Sequence, residues 1–189
     1  MAVTFNASTS SGLVTTADNS GQIAFQSNGT QFNPTLISGT SQASTSGSNI
    51  DFSGANGVPS WAKRVTIMFN GVSTNGTADI NIQLGTGSTP TYTTSGYLGS
   101  VSTQTGTAAN FSSGFTVING MAAASVFHGN IIICNVTGNT WSEIGLLGKS
   151  DVAGVRTSGG SIPLAAALTA IRITTTDTFD LGSINILYE

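Results

Sequence analysis

Thr178-Phe-Asp-Leu-Gly-Ser-Ile-Asn-Ile-Leu-Tyr-Glu189 closes the chain, and its reading decides the fold. Phe179 and Leu181 fall on one parity; Ile184, Ile186 and Tyr188 fall on the other. Strand side chains alternate between faces, so one long strand over this stretch needs a one-residue slip. Gly182-Ser183 is where a bulge fits, because glycine adopts the backbone angles a bulge demands. A terminus lying inside an apolar strand is tied down rather than frayed.

The same alternation recurs upstream. Lys63-Arg-Val-Thr-Ile-Met-Phe-Asn70 puts Val65, Ile67 and Phe69 on one face. Asp79-Ile-Asn-Ile-Gln-Leu84 puts Ile80, Ile82 and Leu84 inward, with Asp79, Asn81 and Gln83 outward. Further strands are predicted over 96–101, 114–118, 125–136, 140–147, 161–168 and 170–175. Asn70-Gly71, Asn75-Gly76, Asn119-Gly120, Gly138-Asn139 and Ser158-Gly-Gly160 read as the turns between them. Only Met121-Ala-Ala-Ala124 and Leu164-Ala-Ala-Ala-Leu168 are helix-prone, and each is about one turn. Short strands at regular spacing predict an all-β chain, an antiparallel β-sandwich or jelly roll.

That domain is expected over residues 50–189. Residues 1–49 read differently, with Asp18 their only charged side chain. Val3/Phe5, Leu13/Val14, Ile23/Phe25 and Leu36/Ile37 are short apolar groups between Ser, Thr, Asn and Gly clusters. Ser38-Gly-Thr-Ser-Gln-Ala-Ser-Thr-Ser-Gly-Ser48 has the composition of a linker. Alone, such a segment buries too little apolar surface to offset its ordering entropy. It is read as an extended amino-terminal arm that copies of itself or a larger assembly would order.

Charged residues make up 7% of the 189 residues, against roughly 25% in ordinary globular proteins. Hydroxyls, amides and backbone must solvate the surface, which makes it insensitive to salt. The net charge is −3, and the five basic residues, Lys63, Arg64, Lys149, Arg156 and Arg172, form no stripe. Nucleic-acid binding and a polybasic membrane anchor are therefore not expected. No run reaches the ~18 apolar residues of a membrane span. Met1-Ala-Val-Thr-Phe-Asn6 lacks the charged start and apolar core of a signal peptide, so synthesis in a cytoplasm is expected.

Several strands are apolar on both parities. Over 126–136, Ile132, Cys134 and Val136 share one side while Phe127, Ile131 and Ile133 share the other. A strand of a lone antiparallel sandwich shows one wet face. With no helix to cover the second apolar face, another copy of the chain must do so.

Candidate chemistry is sparse. His128, the single histidine, would serve as a general base only beside a carboxylate and a serine, and no Gly-x-Ser-x-Gly elbow occurs. Asp177 with Asp180, and Glu143 with Asp151, are the nearest acidic pairs for glycoside hydrolysis. The odd spacing of the first pair sets its members toward opposite faces, which suits turn capping. Cys134, the single cysteine, reads as a small buried hydrophobe. Asp18-Asn-Ser-Gly21 has too few carboxylates for a calcium loop, and Gly85-Thr-Gly87 reads as a turn. Trp61, Tyr92, Tyr97 and Trp141 are the aromatics a glycan would stack on. Tyr92 is the best of them, while edge packing is the plainer role for Trp61. No residue is assigned as catalytic, cofactor-binding or metal-ligating, and no cofactor is expected.

Three segments resemble a carboxyl-terminal module of tailed-bacteriophage virion proteins, often described as tail-fibre or structural proteins. They are Pro59-Ser-Trp-Ala-Lys-Arg-Val-Thr-Ile-Met-Phe-Asn-Gly-Val-Ser-Thr-Asn-Gly76, Ser95-Gly-Tyr-Leu-Gly-Ser100, and Ile171-Arg-Ile-Thr-Thr175 with Asp177 through Glu189. The polar, Gly-punctuated run from Ser11 to Thr30 is similar to stretches of phage fibre proteins. The resemblance implies a non-enzymatic virion structural protein, made in a host bacterial cytoplasm. It further implies a homotrimer whose residues 1–49 contact other virion proteins, with a host cell-surface glycan as a further partner. Long fibres carry hundreds of shaft residues that this chain lacks, so a short tail fibre or appendage is expected. A capsid decoration protein, a head fibre and a polysaccharide-depolymerase tip are the alternatives.

Overall fold

The structure, a computed structural model, describes residues 36–104, 106 and 108–189 in full, and the backbone of 2–8, 12–18, 25–27 and 30–32. Two units divide the chain, Met1–Leu36 and Ile37–Tyr188. The first is a four-stranded sheet of β1 (Ala2–Ser8), β2 (Gly12–Asp18), β3 (Phe25–Ser27) and β4 (Thr30–Phe32), ordered β2-β1-β3-β4. β1 pairs antiparallel with β2 and parallel with β3. The register sets Phe5 opposite Phe25 and Phe25 opposite Phe32.

The second unit is an antiparallel β-sandwich, as the alternation predicts. Its strands are β5 (Ile37–Ser38), β6 (Gln42–Ala43), β7 (Asn49–Phe52), β8 (Arg64–Thr74), β9 (Ile80–Thr86), β10 (Thr91–Tyr92), β11 (Leu98–Thr103), β12 (Ala108–Phe111), β13 (Phe115–Ile118), β14 (Phe127–Thr137), β15 (Thr140–Lys149), β16 (Val155–Pro163), β17 (Leu168–Thr174) and β18 (Phe179–Tyr188). The large sheet runs β12-β11-β16-β15-β14-β8-β18-β5, with β6 also on β18. The small sheet runs β10-β9-β17-β7, with β13 also on β9. Val65, Ile67 and Phe69 of β8 meet Ile80, Ile82 and Leu84 of β9 in one buried core, together with Phe115, Phe127, Ile131, Ile133, Ile171, Ile173, Ile184 and Ile186. Burying each such side chain contributes about 1.5–3 kcal/mol.

β18 carries the bulge expected at Gly182-Ser183. Its register against β8 shifts between Phe179 and Leu181 and again between Leu181 and Ser183. The two shifts turn Leu181 out to solvent, so it does not share the buried face of Phe179. Gly182 has φ +93°, and a Cβ there would strike the Gly71 carbonyl. Gly182→Ala should therefore cost about 2 kcal/mol or more, read as a lower urea midpoint. Asn70-Gly71 is not a turn; it lies within β8, where Gly71 has φ +68° beside the β18 bulge.

Other boundaries differ from expectation for identifiable reasons. Residues 38–48 do not form a free linker. β5 and β6 pair with the outer edge of β18, Gly39 N–H donates to Ile186 O at 2.8 Å, and Ser44 N–H donates to Gly182 O at 2.9 Å. An unpaired edge on the last strand would leave its backbone groups bare, and small Ser and Gly residues cover it without bulk. The compact unit accordingly begins at Ile37, ahead of the boundary expected at residue 49. Ser158-Gly-Gly160, expected as a turn, lies mid-strand in β16, and the strand expected over 161–168 breaks at Leu164. A Cβ on Gly160 would meet Leu98 O at 2.6 Å and the Phe111 ring at 2.8 Å. Gly160 admits a close neighbour rather than a reversal of the chain.

Candidate interaction surface

The outer face of the small sheet is polar, as an ordinary solvent face should be. Thr116 donates to Asn81 Oδ1 at 2.6 Å and Thr174 to Asn49 Oδ1 at 2.7 Å. Arg172 grips Asp51 through two bonds of 2.7 Å and stacks at 4.0 Å over Tyr92. Tyr92 is thus a half-buried ring in β10 under a guanidinium, not the open platform expected of a loop.

The large sheet is built the other way round. On β14, β15 and β16 the outward positions include Asn130, Ile132, Cys134, Val136, Ser142, Ile144, Leu146, Thr157, Gly159 and Ser161, with no Asp, Glu, Lys or Arg among them; His128 lies at the start of β14, and Arg64 of β8 borders Cys134. Ile144 is 65% exposed and Leu146 57%, while Leu98 on β11 is 68% exposed. Ile132 stands opposite Ile144, and Asn130 opposite Leu146. With Gly129, Gly145, Thr157 and Ser158 they line a shallow hollow of about 590 Å³. Cys134 is half-buried on this face, opposite Ser142 and Arg64, rather than inside the core.

The charges of these strands point inward instead. Glu143 is 5% exposed, and Ser158 Oγ donates to its Oε1 at 2.6 Å. Its Oε2 has no hydrogen-bond partner. Burial pushes its carboxyl up to about 7, against the pull of the Ser158 hydroxyl. Arg156 is 7% exposed, and its guanidinium donates to the carbonyls of Asn119, Gly120 and Val155. Sequence parity marks both residues as inward, but their polarity hides the fact.

His128 does not form a catalytic constellation. Gly71 N–H donates to His128 Nδ1 at 3.1 Å, so the neutral ring carries its proton on Nε2 and offers it to Ser150 Oγ at 3.1 Å. A base acting on Ser150 requires the opposite tautomer. His128→Ala should cost about 1 kcal/mol by removing the acceptor for Gly71 N–H, read by urea denaturation. Asp177 takes the Ala78 N–H at 2.6 Å, which is turn capping, while Asp180 is exposed. Asp151 takes the Val126 N–H at 3.0 Å in the loop after β15, whereas Glu143 is buried within the strand, so the structure does not bring that pair together. Trp141 and Tyr97 are core residues, and Tyr97 Oη accepts the Leu84 N–H at 2.8 Å. Trp61 stands partly exposed at the sandwich edge, its ring 5.8 Å from that of Tyr188. Asp18-Asn-Ser-Gly21, considered above for calcium, lies outside the fully described residues. Among those described, no cluster of His, Cys, Asp or Glu is arranged to hold a metal.

No family model, no curated protein and no solved structure matches this chain.

Proposed function

We propose that this chain is a non-enzymatic structural protein of a bacteriophage particle. It is a short tail fibre or appendage that assembles through its β-sandwich and attaches by its amino-terminal unit. The assembly rests on one observation, the uncharged apolar outer face of β14–β16. Large exposed apolar patches are interaction surfaces, and an antiparallel sheet with two apolar faces is complete only when both are covered. The occupant is a second copy of the chain. A neutral face meets its own likeness without charge repulsion, whereas a strongly charged partner would gain nothing there. Three copies per assembly, and the phage setting itself, follow from the resemblance carried by residues 59–76, 95–100 and 171–189. Those residues fold largely into β8, β17 and β18, interior strands of both sheets. The likeness is therefore one of scaffold.

Immunogold labelling of purified phage with antibody to residues 37–189 tests the reading. Label in a few copies at the tail supports the appendage, and label spread over the head supports decoration. Particles without label contradict both. A chain starting at Ile37 should fold and self-associate but fail to join particles. Incorporation of that chain would remove attachment from the amino-terminal unit.

A further inference from the structure

At one end of the sandwich, away from the apolar outer face, Lys149, Arg156, Gly120, Thr103, Gln104, Ala153 and Gly154 line a pocket of about 300 Å³. Two of the five basic residues of the chain meet there. Arg156 is nearly sealed from solvent, yet no carboxylate among the described residues lies within ion-pair distance of it. Its bonds to Asn119 O (2.7 Å), Gly120 O (3.0 Å) and Val155 O (3.1 Å) use three of its N–H groups. A guanidinium carries five, so one N–H on each terminal nitrogen is left over. Carbonyl oxygens solvate the cation without neutralising it, and a buried charge without a counter-ion is costly. Burial accordingly holds the Arg156 guanidinium below its ordinary range, with Asp151 acting the other way.

Lys149 adds a second cation at the same mouth. Its side chain is 11% exposed, and its one ion pair among the described residues is with Asp151, at 3.4 Å. Two positive charges thus face the pocket against one carboxylate, and Asp151 is not among the residues that line it. Pinning the Asn119-Gly120 turn explains why Arg156 bonds the two carbonyls. It does not explain a second, half-buried cation lining the same pocket.

We infer that this pocket binds the oxyanion of a small ligand, a carboxylate or phosphate on a body no larger than a monosaccharide. The two leftover Arg156 N–H groups and the Lys149 ammonium would hold the oxyanion by charge-assisted hydrogen bonds. The volume sits at the lower end of small-molecule sites. Thr103 and Gln104 on the facing wall would meet the polar body of the ligand. The site is separate from the assembly face, so each reading stands or falls without the other.

The full chain, titrated calorimetrically at constant ionic strength with glucuronate, glycerol 3-phosphate and neutral glucose, tests the inference. Saturable binding of either anion, with none for glucose, is expected, and the better of the two names the source of the oxyanion. Lys149→Gln should weaken that binding about tenfold, the loss of one charge-assisted contact. Asp151→Asn keeps the acceptor for Val126 N–H and removes the competing carboxylate, so it should tighten binding several-fold. Saturation at one equivalent per chain at constant ionic strength, and the contrast with neutral glucose, separate a site from diffuse attraction of anions. Absence of saturable binding by both anions at millimolar concentration overturns the inference. So does binding that neither variant alters.

Discussion

Raising the pH from 5 to 8 should destabilise the sandwich by about 3 kcal/mol through Glu143 alone. The carboxyl lies in the core, with Ser158 as its one donor and Oε2 unpartnered. Gly145 makes room for it, since a Cβ there would meet Ser158 Oγ at 2.6 Å and Glu143 Oε1 at 3.0 Å. Burial raises the folded-state value from 4.5 to about 7. A raised folded value means that the folded chain holds the proton more tightly than the unfolded chain. The stabilisation is therefore fully present below about 4.5 and is lost as the pH climbs through about 7. Arg156 lies two residues along β16 from Ser158 and directs its guanidinium to the Asn119 and Gly120 carbonyls. Facing residues of β13 and β14 are Phe115, Val117, Ile131 and Ile133, which carry no charge. Glu143→Gln keeps an acceptor for Ser158 and should flatten the urea midpoint between pH 5 and 8. A wild-type slope that survives in the variant would assign the pH dependence elsewhere.

Ile144→Asp with Leu146→Asp should dissociate the assembly. Both positions point away from the core, so the single chain stays folded. Each copy would bring two carboxylates to a face that now has none, and desolvating them opposes burial. Association should weaken at least about 100-fold, or about 3 kcal/mol. Size-exclusion chromatography with light scattering reads the mass, and an unchanged thermal midpoint of the chain under dissociating conditions shows that the fold is intact. A double variant that keeps the wild-type mass would move the interface elsewhere.

Strand alternation made the core legible. Val65, Ile67, Phe69, Ile80, Ile82 and Leu84 are buried as read, and the bulge at Gly182 sits where the parity switch required it. Glycine and serine hid the rest. Gly160 serves a close strand approach in β16, a role that composition cannot distinguish from a turn. Residues 38–48 pair through their backbone, which leaves no periodic side-chain trace. The apolar outer face was visible as a second apolar parity on β14, continued by Ile144 and Leu146 of β15. Glu143 and Arg156 stand at inward parity, but a charged side chain in a strand is ordinarily read as solvent-facing, so their polarity masked that parity. The anion pocket brings together residues from four segments, and no spacing in the sequence encodes that meeting.

Sedimentation equilibrium of the purified chain at micromolar concentration tests the central claim most directly. The surface of exposed Ile144, Leu146 and Leu98 with half-buried Ile132 predicts a discrete oligomer, with the mass of three chains if the resemblance holds. A compact monomer, stable across that concentration range, would contradict the claim that this face exists to be covered by its own copies.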